Sequence, residues 1–171
     1  IHCGLVGSEM CIRDRRLPYA MQLGSGTYDA LPGITYNGAK NHWNWGAQYS
    51  AIIRLEDEND QSYSLGDQHK LTAWGGRRLT DWLDGTLRLS AETIGNIDGA
   101  DPLIAAPVTT ADPNNYGGEF VSASIGFNIK PPKMLKGAEI SGEFTAPLYQ
   151  DLNGPQMKRD YGFVLGVRYS F

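Results

Sequence analysis

The sequence predicts an all-β chain: an antiparallel up-and-down transmembrane β-barrel, present as a partial barrel of about seven strands. Three observations predict it. Segments of about ten residues carry apolar side chains at every second position. The connections between those segments alternate between short and long. The last segment closes on a phenylalanine, Phe171. No apolar run approaches the roughly 18 residues that a membrane helix needs, so a helical membrane protein is excluded. A mean hydropathy of −0.36 does not exclude a barrel, because alternation averages its apolar face away.

The front end is set aside. Residues 4–15 read G-L-V-G-S-E-M-C-I-R-D-R, which matches a widely used transposase sequencing adapter translated in one frame. Residues 1–15 are therefore treated as a non-native tag and residues 16–171 as the C-terminal part of the barrel. Both cysteines, Cys3 and Cys11, fall in the tag. A native part without cysteine fits export through an oxidising periplasm. The net charge of −4 disfavours a nucleic-acid partner, which wants a basic face.

The clearest strand runs from His42 to Glu56. Trp43, Trp45, Ala47, Tyr49, Ala51, Ile53 and Leu55 share one parity, and Asn44, Gln48, Ser50, Arg54 and Glu56 the other. The alternation recurs at Leu83–Thr93, Val121–Ile129, Ala138–Ala146 and Tyr161–Phe171. Two weaker strands are expected at about Thr27–Gly38 and Asp67–Leu79. Short connections are expected at Asn37–Asn41, Leu79–Trp82 and Lys130–Gly137. Long ones are expected at Asp57–Gly66, Gly95–Gly118 and Pro147–Arg159. Bacterial barrels have short periplasmic turns and long outer loops. With the chain ending in the periplasm, every short connection falls on that side and every long one outside. Tyr36, Trp43, Trp45, Trp82, Tyr169 and Phe171 then form an aromatic girdle at the periplasmic interface.

Parity assigns the faces. Trp45, Tyr49, Ile53, Leu87, Leu89, Ile125, Phe127, Ile140, Phe144, Phe163, Leu165 and Val167 are expected to meet lipid. Arg54, Glu56, Lys70, Arg78, Asp84, Arg88, Glu92, Glu139, Glu143 and Arg168 are expected to line the lumen, where water tolerates mixed charge. The same charges could instead pair to stabilise the barrel wall, and sequence does not separate the two roles.

The chain ends G-V-R-Y-S-F. This resembles the C-terminal signal read by the barrel-assembly machinery, with Gly166, Tyr169 and Phe171 as its fixed points. Val164, two before the glycine, departs from the polar residue usual there. The native part as a whole resembles a family of proteobacterial outer-membrane transporters, labelled by genomic context as part of a meta-pathway of phenol degradation. The residues that carry the resemblance are Leu17 to Tyr36, Trp43 to Gln48, Gly95 to Pro102, Thr110 to Pro113 and Pro147 to Gln156. Members of that family are roughly twice as long, which implies a front half missing here. The resemblance implies an outer-membrane location and passage of small molecules, hydrophobic or aromatic ones by the label. It brings no catalytic residue.

Other motifs give less. Gly24-Ser-Gly26 lacks the Lys-Ser/Thr of a phosphate loop and reads as a turn. Asp57, Asp60, Asp98, Asp101 and Asp112 do not have EF-hand spacing and read as turn-capping residues. His42 and His69 lack a second ligand at zinc spacing. Ser50, Ser90, Ser122 and Ser141 lie on the polar face without a distinctive Ser/His/Asp setting. No enzyme, metal or cofactor is expected. The expected partners are outer-membrane lipid, the assembly machinery and a small solute.

Overall fold

The computed structural model describes residues 9–10, 15–104, 108–131 and 137–170. Its main body is one antiparallel meander of eight strands. These are β1 (Asp29–Ala30), β2 (Gly33–Lys40), β3 (Trp43–Arg54), β4 (Gln68–Thr80), β5 (Leu83–Ile94), β6 (Gly118–Ile129), β7 (Ala138–Leu152) and β8 (Gly162–Tyr169). Each pairs with its sequence neighbour, except that β1 and β2 both pair with β3. Pro32 accounts for that exception. Ala30 faces Ile53 and Gly33 faces Ser50, so register is kept across the gap. Pro32 has no N–H to donate, but its carbonyl still accepts from Ala51 N at 2.9 Å. The weak first strand expected at Thr27–Gly38 is thus one edge strand interrupted by a proline.

The sheet is not closed into a barrel among the described residues. β8 and the β1–β2 strand are its open edges. The five central strands, β3 to β7, are 12 to 15 residues long. A tilted strand needs about 9–11 residues to cross a bilayer.

The connections sort by length. Two residues, Asn41–His42, turn β2 into β3, and Asp81–Trp82 turn β4 into β5. The first strand runs on to Lys40, so the turn is shorter than the expected Asn37–Asn41. Asn41 sits at φ 56°, a left-handed position that asparagine tolerates. Segments 55–67, 95–117 and 153–161 join strands at the opposite end. The third long loop is shorter than the expected Pro147–Arg159. Val121 faces Tyr149 while Ser122 faces Pro147, so Leu148 bulges out and β7 absorbs the proline. The alternation breaks there in sequence, which is why the strand reads as ending at Ala146.

The tag region shows one short ladder of its own. Glu9–Met10 pairs with Arg15–Arg16, separately from the eight-stranded sheet. The buried core also lies away from the sheet. Tyr19, Tyr63 and Ile97 are buried together, with Leu65, Ile104 and Tyr116 packed against them. They come from the segment before β1 and from the first two long loops. Tyr19 meets Tyr63 and Tyr116 edge to face, at 4.8 and 5.9 Å between centroids. Tyr19 Oη accepts from Asp101 N at 3.0 Å, and Asp101 pairs with Arg16 at 2.6 Å. The sequence places Asp101 in a turn, and its Oδ1 does accept from Leu103 N at 2.9 Å, an Asx turn. The long loops are therefore a knit cap, not free ends.

Candidate functional site: the polar face and its mouth

Register fixes which side chains share a face, because directly opposed residues of an antiparallel pair point the same way. Tyr49 faces Ile34 and Leu71; Leu87 faces Gly75 and Ile125; Ile125 faces Phe144, which faces Phe163. Trp45, Leu89, Phe127, Ile140, Leu165 and Val167 follow from the same ladders, and Ile53 is on the same parity beside Ala30. The residues expected to meet lipid thus form one continuous face. Ile34 is 71% exposed, Leu87 56% and Val167 74%. Among the described residues only Tyr161, stacked on Phe144 at 5.8 Å, is seen to reach over this face from a loop.

The face holds three further devices. Trp45 lies over Gly38, directly opposite it, and Phe127 over Gly142. An aromatic ring laid over a strand glycine restores the side-chain cover that the glycine lacks. Tyr49 Oη and His69 Nδ1 lie 2.9 Å apart, with their rings stacked toward the long-loop end. At the short-turn end the Arg77 guanidinium sits over Trp43, 5.0 Å from the ring.

The opposite face is polar. Arg88 pairs with Glu143 at 2.9 Å, reaching across β6. Asp84 takes both Arg78 at 3.5 Å and Lys130 at 3.0 Å. Glu139 and Arg168 are register partners on this face. Between them run hydroxyl pairs: Ser90 with Ser122 and Ser124 with Thr145, each at 2.8 Å. Arg54 lies at the long-loop end, largely buried, and pairs with Asp29, which also accepts from Ser25 at 2.8 Å and Thr27 at 2.9 Å. Glu56 stands beyond β3, where it accepts from Tyr28 N at 3.2 Å. Gly166 faces Ser141 on the polar face and Tyr169 faces Ala138 on the apolar one. Phe171 lies outside the described residues. Compared with known protein families, curated proteins and solved structures, the chain matches none. Geometry alone therefore bears on function.

Two features of the polar face escape the sequence reading. An open groove of about 590 Å³ lies along it, lined by Gln48, Lys70, Thr72, Trp74, Arg88 and the hydroxyl pairs. Trp74 belongs to this face by parity, but β4 reads weakly in sequence, and only Leu71 and Ala73 signal it. The second feature is Arg159, at the mouth. Its guanidinium donates to both oxygens of Glu92, at 2.9 and 3.4 Å, and lies 3.8 Å over the Phe120 ring. Its backbone N–H donates to Gln150 Oε1 at 2.7 Å, and its carbonyl accepts from Gln150 Nε2 at 2.8 Å. Phe120 is the register partner of both Glu92 and Gln150. The third long loop is thus fastened to polar-face residues of β5, β6 and β7.

Proposed function

We propose that this chain is a sector of an outer-membrane β-barrel whose polar face lines a passage for small solutes. One observation carries the reading. A mostly apolar face runs across the sheet and is exposed, while the other face is charged, with most of its charges paired. Water is a poor solvent for so large an apolar surface, and folded soluble chains rarely leave one uncovered. A bilayer is a good one, provided every backbone group is paired in a closed barrel. Closure would come from further strands added at β8 and at the β1–β2 edge.

The solute would cross along the groove side, between ion pairs that keep fixed charge without a net excess. The long loops sit at the outer end of that path, and Arg159 draws the third of them toward it. Hydrophobic or aromatic solutes would agree with the family that the sequence resembles. A structural barrel without transport is the second reading. It is favoured by how fully Asp84, Glu92 and Glu143 are engaged by cations.

Conductance of the full-length protein in planar bilayers, with solute uptake into liposomes, separates the two. Discrete channel steps and solute entry are expected. Sealed liposomes with a correctly folded protein would leave the structural reading.

A further inference from the structure

Trp74 is an apolar ring on a polar face. It stands between Thr72 and Gly76 on β4, opposite Gly46 on one side and Arg88 on the other. A β-carbon on Gly46 would lie 2.4 Å from the indole Cζ2 and 2.6 Å from Cε2. The ring therefore lies over the Gly46 backbone. It lines the 590 Å³ groove and a neighbouring depression of about 470 Å³. Among the described residues no other aromatic ring stacks on it.

Lys70 is the second feature. It lines the same groove, and its register partner is Glu92. That carboxylate is held bidentately by Arg159. Arg88 is likewise held by Glu143. Lys70 makes no ion pair among the described residues. It acts on Glu92 only at longer range, so its ammonium is the groove cation that no carboxylate holds in a close pair. Thr72 stands between Lys70 and Trp74 on this face, opposite Gln48 and Ser90, and the floor runs on over the hydroxyl pairs Ser90–Ser122 and Ser124–Thr145. The two residues are four apart on one strand, about 13 Å between α-carbons, and the lysine stem shortens that span.

We propose that the groove is a subsite for small planar monocarboxylates, the ring stacked on Trp74 and the carboxylate held by Lys70. The proposal rests on the reading of the polar face as a water-filled passage, and it names the solute class. Stacking supplies an attraction indifferent to ring substituents, and the ammonium selects the anion. The rival is that Trp74 only covers Gly46 and Lys70 only faces water.

The test is calorimetric titration of the chain, folded in detergent micelles, with sodium benzoate, benzyl alcohol and sodium acetate. Benzoate should saturate a single site. Benzyl alcohol lacks the charge and acetate the ring, and each should bind about tenfold more weakly or worse. Lys70→Met should weaken benzoate and leave benzyl alcohol unchanged. Trp74→Leu should weaken both, and Trp74→Tyr should restore them, with circular dichroism showing each variant folded. Absence of saturable benzoate binding, or full binding in folded Trp74→Leu, overturns the proposal. Benzoate uptake into liposomes that carry the full-length protein is measured in parallel. Uptake without saturable binding overturns the subsite and keeps the passage; binding without uptake supports the subsite and removes the passage.

Discussion

Arg159 reaches Glu92 across 67 residues of sequence and grips both of its carboxylate oxygens. The contact joins a loop to a strand of the sheet, so it decides how far the loop hangs over the groove. Arg159 is half exposed, and Glu92 is much less so. An exposed pair contributes about 0.2–1 kcal/mol, and a cation over an aromatic ring about 0.5–1 kcal/mol. Arg159→Gln should therefore release the loop by about 1 kcal/mol, a roughly fivefold rise in its open population. Hydrogen–deuterium exchange of residues 153–161 reads that rise directly. Unchanged exchange there would mean that the Gln150 contacts alone fasten the loop.

The two faces predict opposite tolerance one residue apart. Leu89 lies on the exposed apolar face, opposite Ala73 and Ala123. Ser90 lies on the polar face and bonds Ser122 at 2.8 Å. In the membrane, Leu89→Arg should cost about 2–4 kcal/mol. Ser90→Arg should cost about 1 kcal/mol, the hydrogen bond it loses, since its charge meets water. Denaturant unfolding in lipid, with heat-modifiable gel mobility, compares them. Folding of the native protein as a monomer in plain buffer, with Leu89 and Phe127 buried, would end the membrane reading.

How much of this was legible in the sequence depends on what each feature rests on. Face assignment rests on a period of two, and period is a property of sequence. Every residue expected to meet lipid, from Trp45 to Val167, accordingly falls on one face. Strand ends are harder to place, because Pro147 breaks the alternation while a bulge at Leu148 keeps the ladder. The loop core is illegible for a different reason. Tyr19, Tyr63 and Ile97 lie in three segments with no shared periodicity, and only folding brings them together. Trp74 falls between these cases: the strand expected at Asp67–Leu79 contains it, and parity puts it on the face of Lys70, but only Leu71 and Ala73 marked the alternation there.

Close backbone approach predicts which loop glycines resist substitution. A β-carbon on Gly66 would lie 2.2 Å from the Gly95 carbonyl carbon, a backbone atom that has no rotamer to yield. Gly24, at φ 75°, has nothing within 4 Å of the same position. Gly24→Ala should therefore cost only left-handed strain, about 1 kcal/mol. Gly66→Ala must separate the first two long loops and should cost more, about 2–3 kcal/mol. Exchange protection at Tyr63 and Ile97 should fall in the second variant and hold in the first. Equal effects would show that the loops move apart freely.

The loop cap should also loosen in alkali, and the sign follows from its tyrosines. Burial pushes the Tyr63 hydroxyl above the usual phenol range, and burial does the same to Tyr116. Nearby Asp101 pushes Tyr63 further the same way. In each case the folded state holds the phenol proton more tightly than the unfolded chain does, whose value is near 10. The stabilisation is complete below that value and is lost as pH rises through the raised folded one. Tyr63 donates its proton to Gln22 Oε1 at 2.8 Å, and Tyr116 donates to the Thr110 carbonyl at 2.6 Å. Ionisation removes both donors and leaves phenolate against acceptors. The sheet is held chiefly by its backbone ladder, whose amides do not titrate in this range. Raising pH above about 10 should therefore expose the cap while the strands stay paired. Tyrosinate absorbance should show a late, cooperative phase that Tyr63→Phe diminishes, with far-ultraviolet circular dichroism unchanged across it. A single early titration of all tyrosines would show that Tyr63 and Tyr116 are not enclosed, and the long loops would then be free ends over the groove.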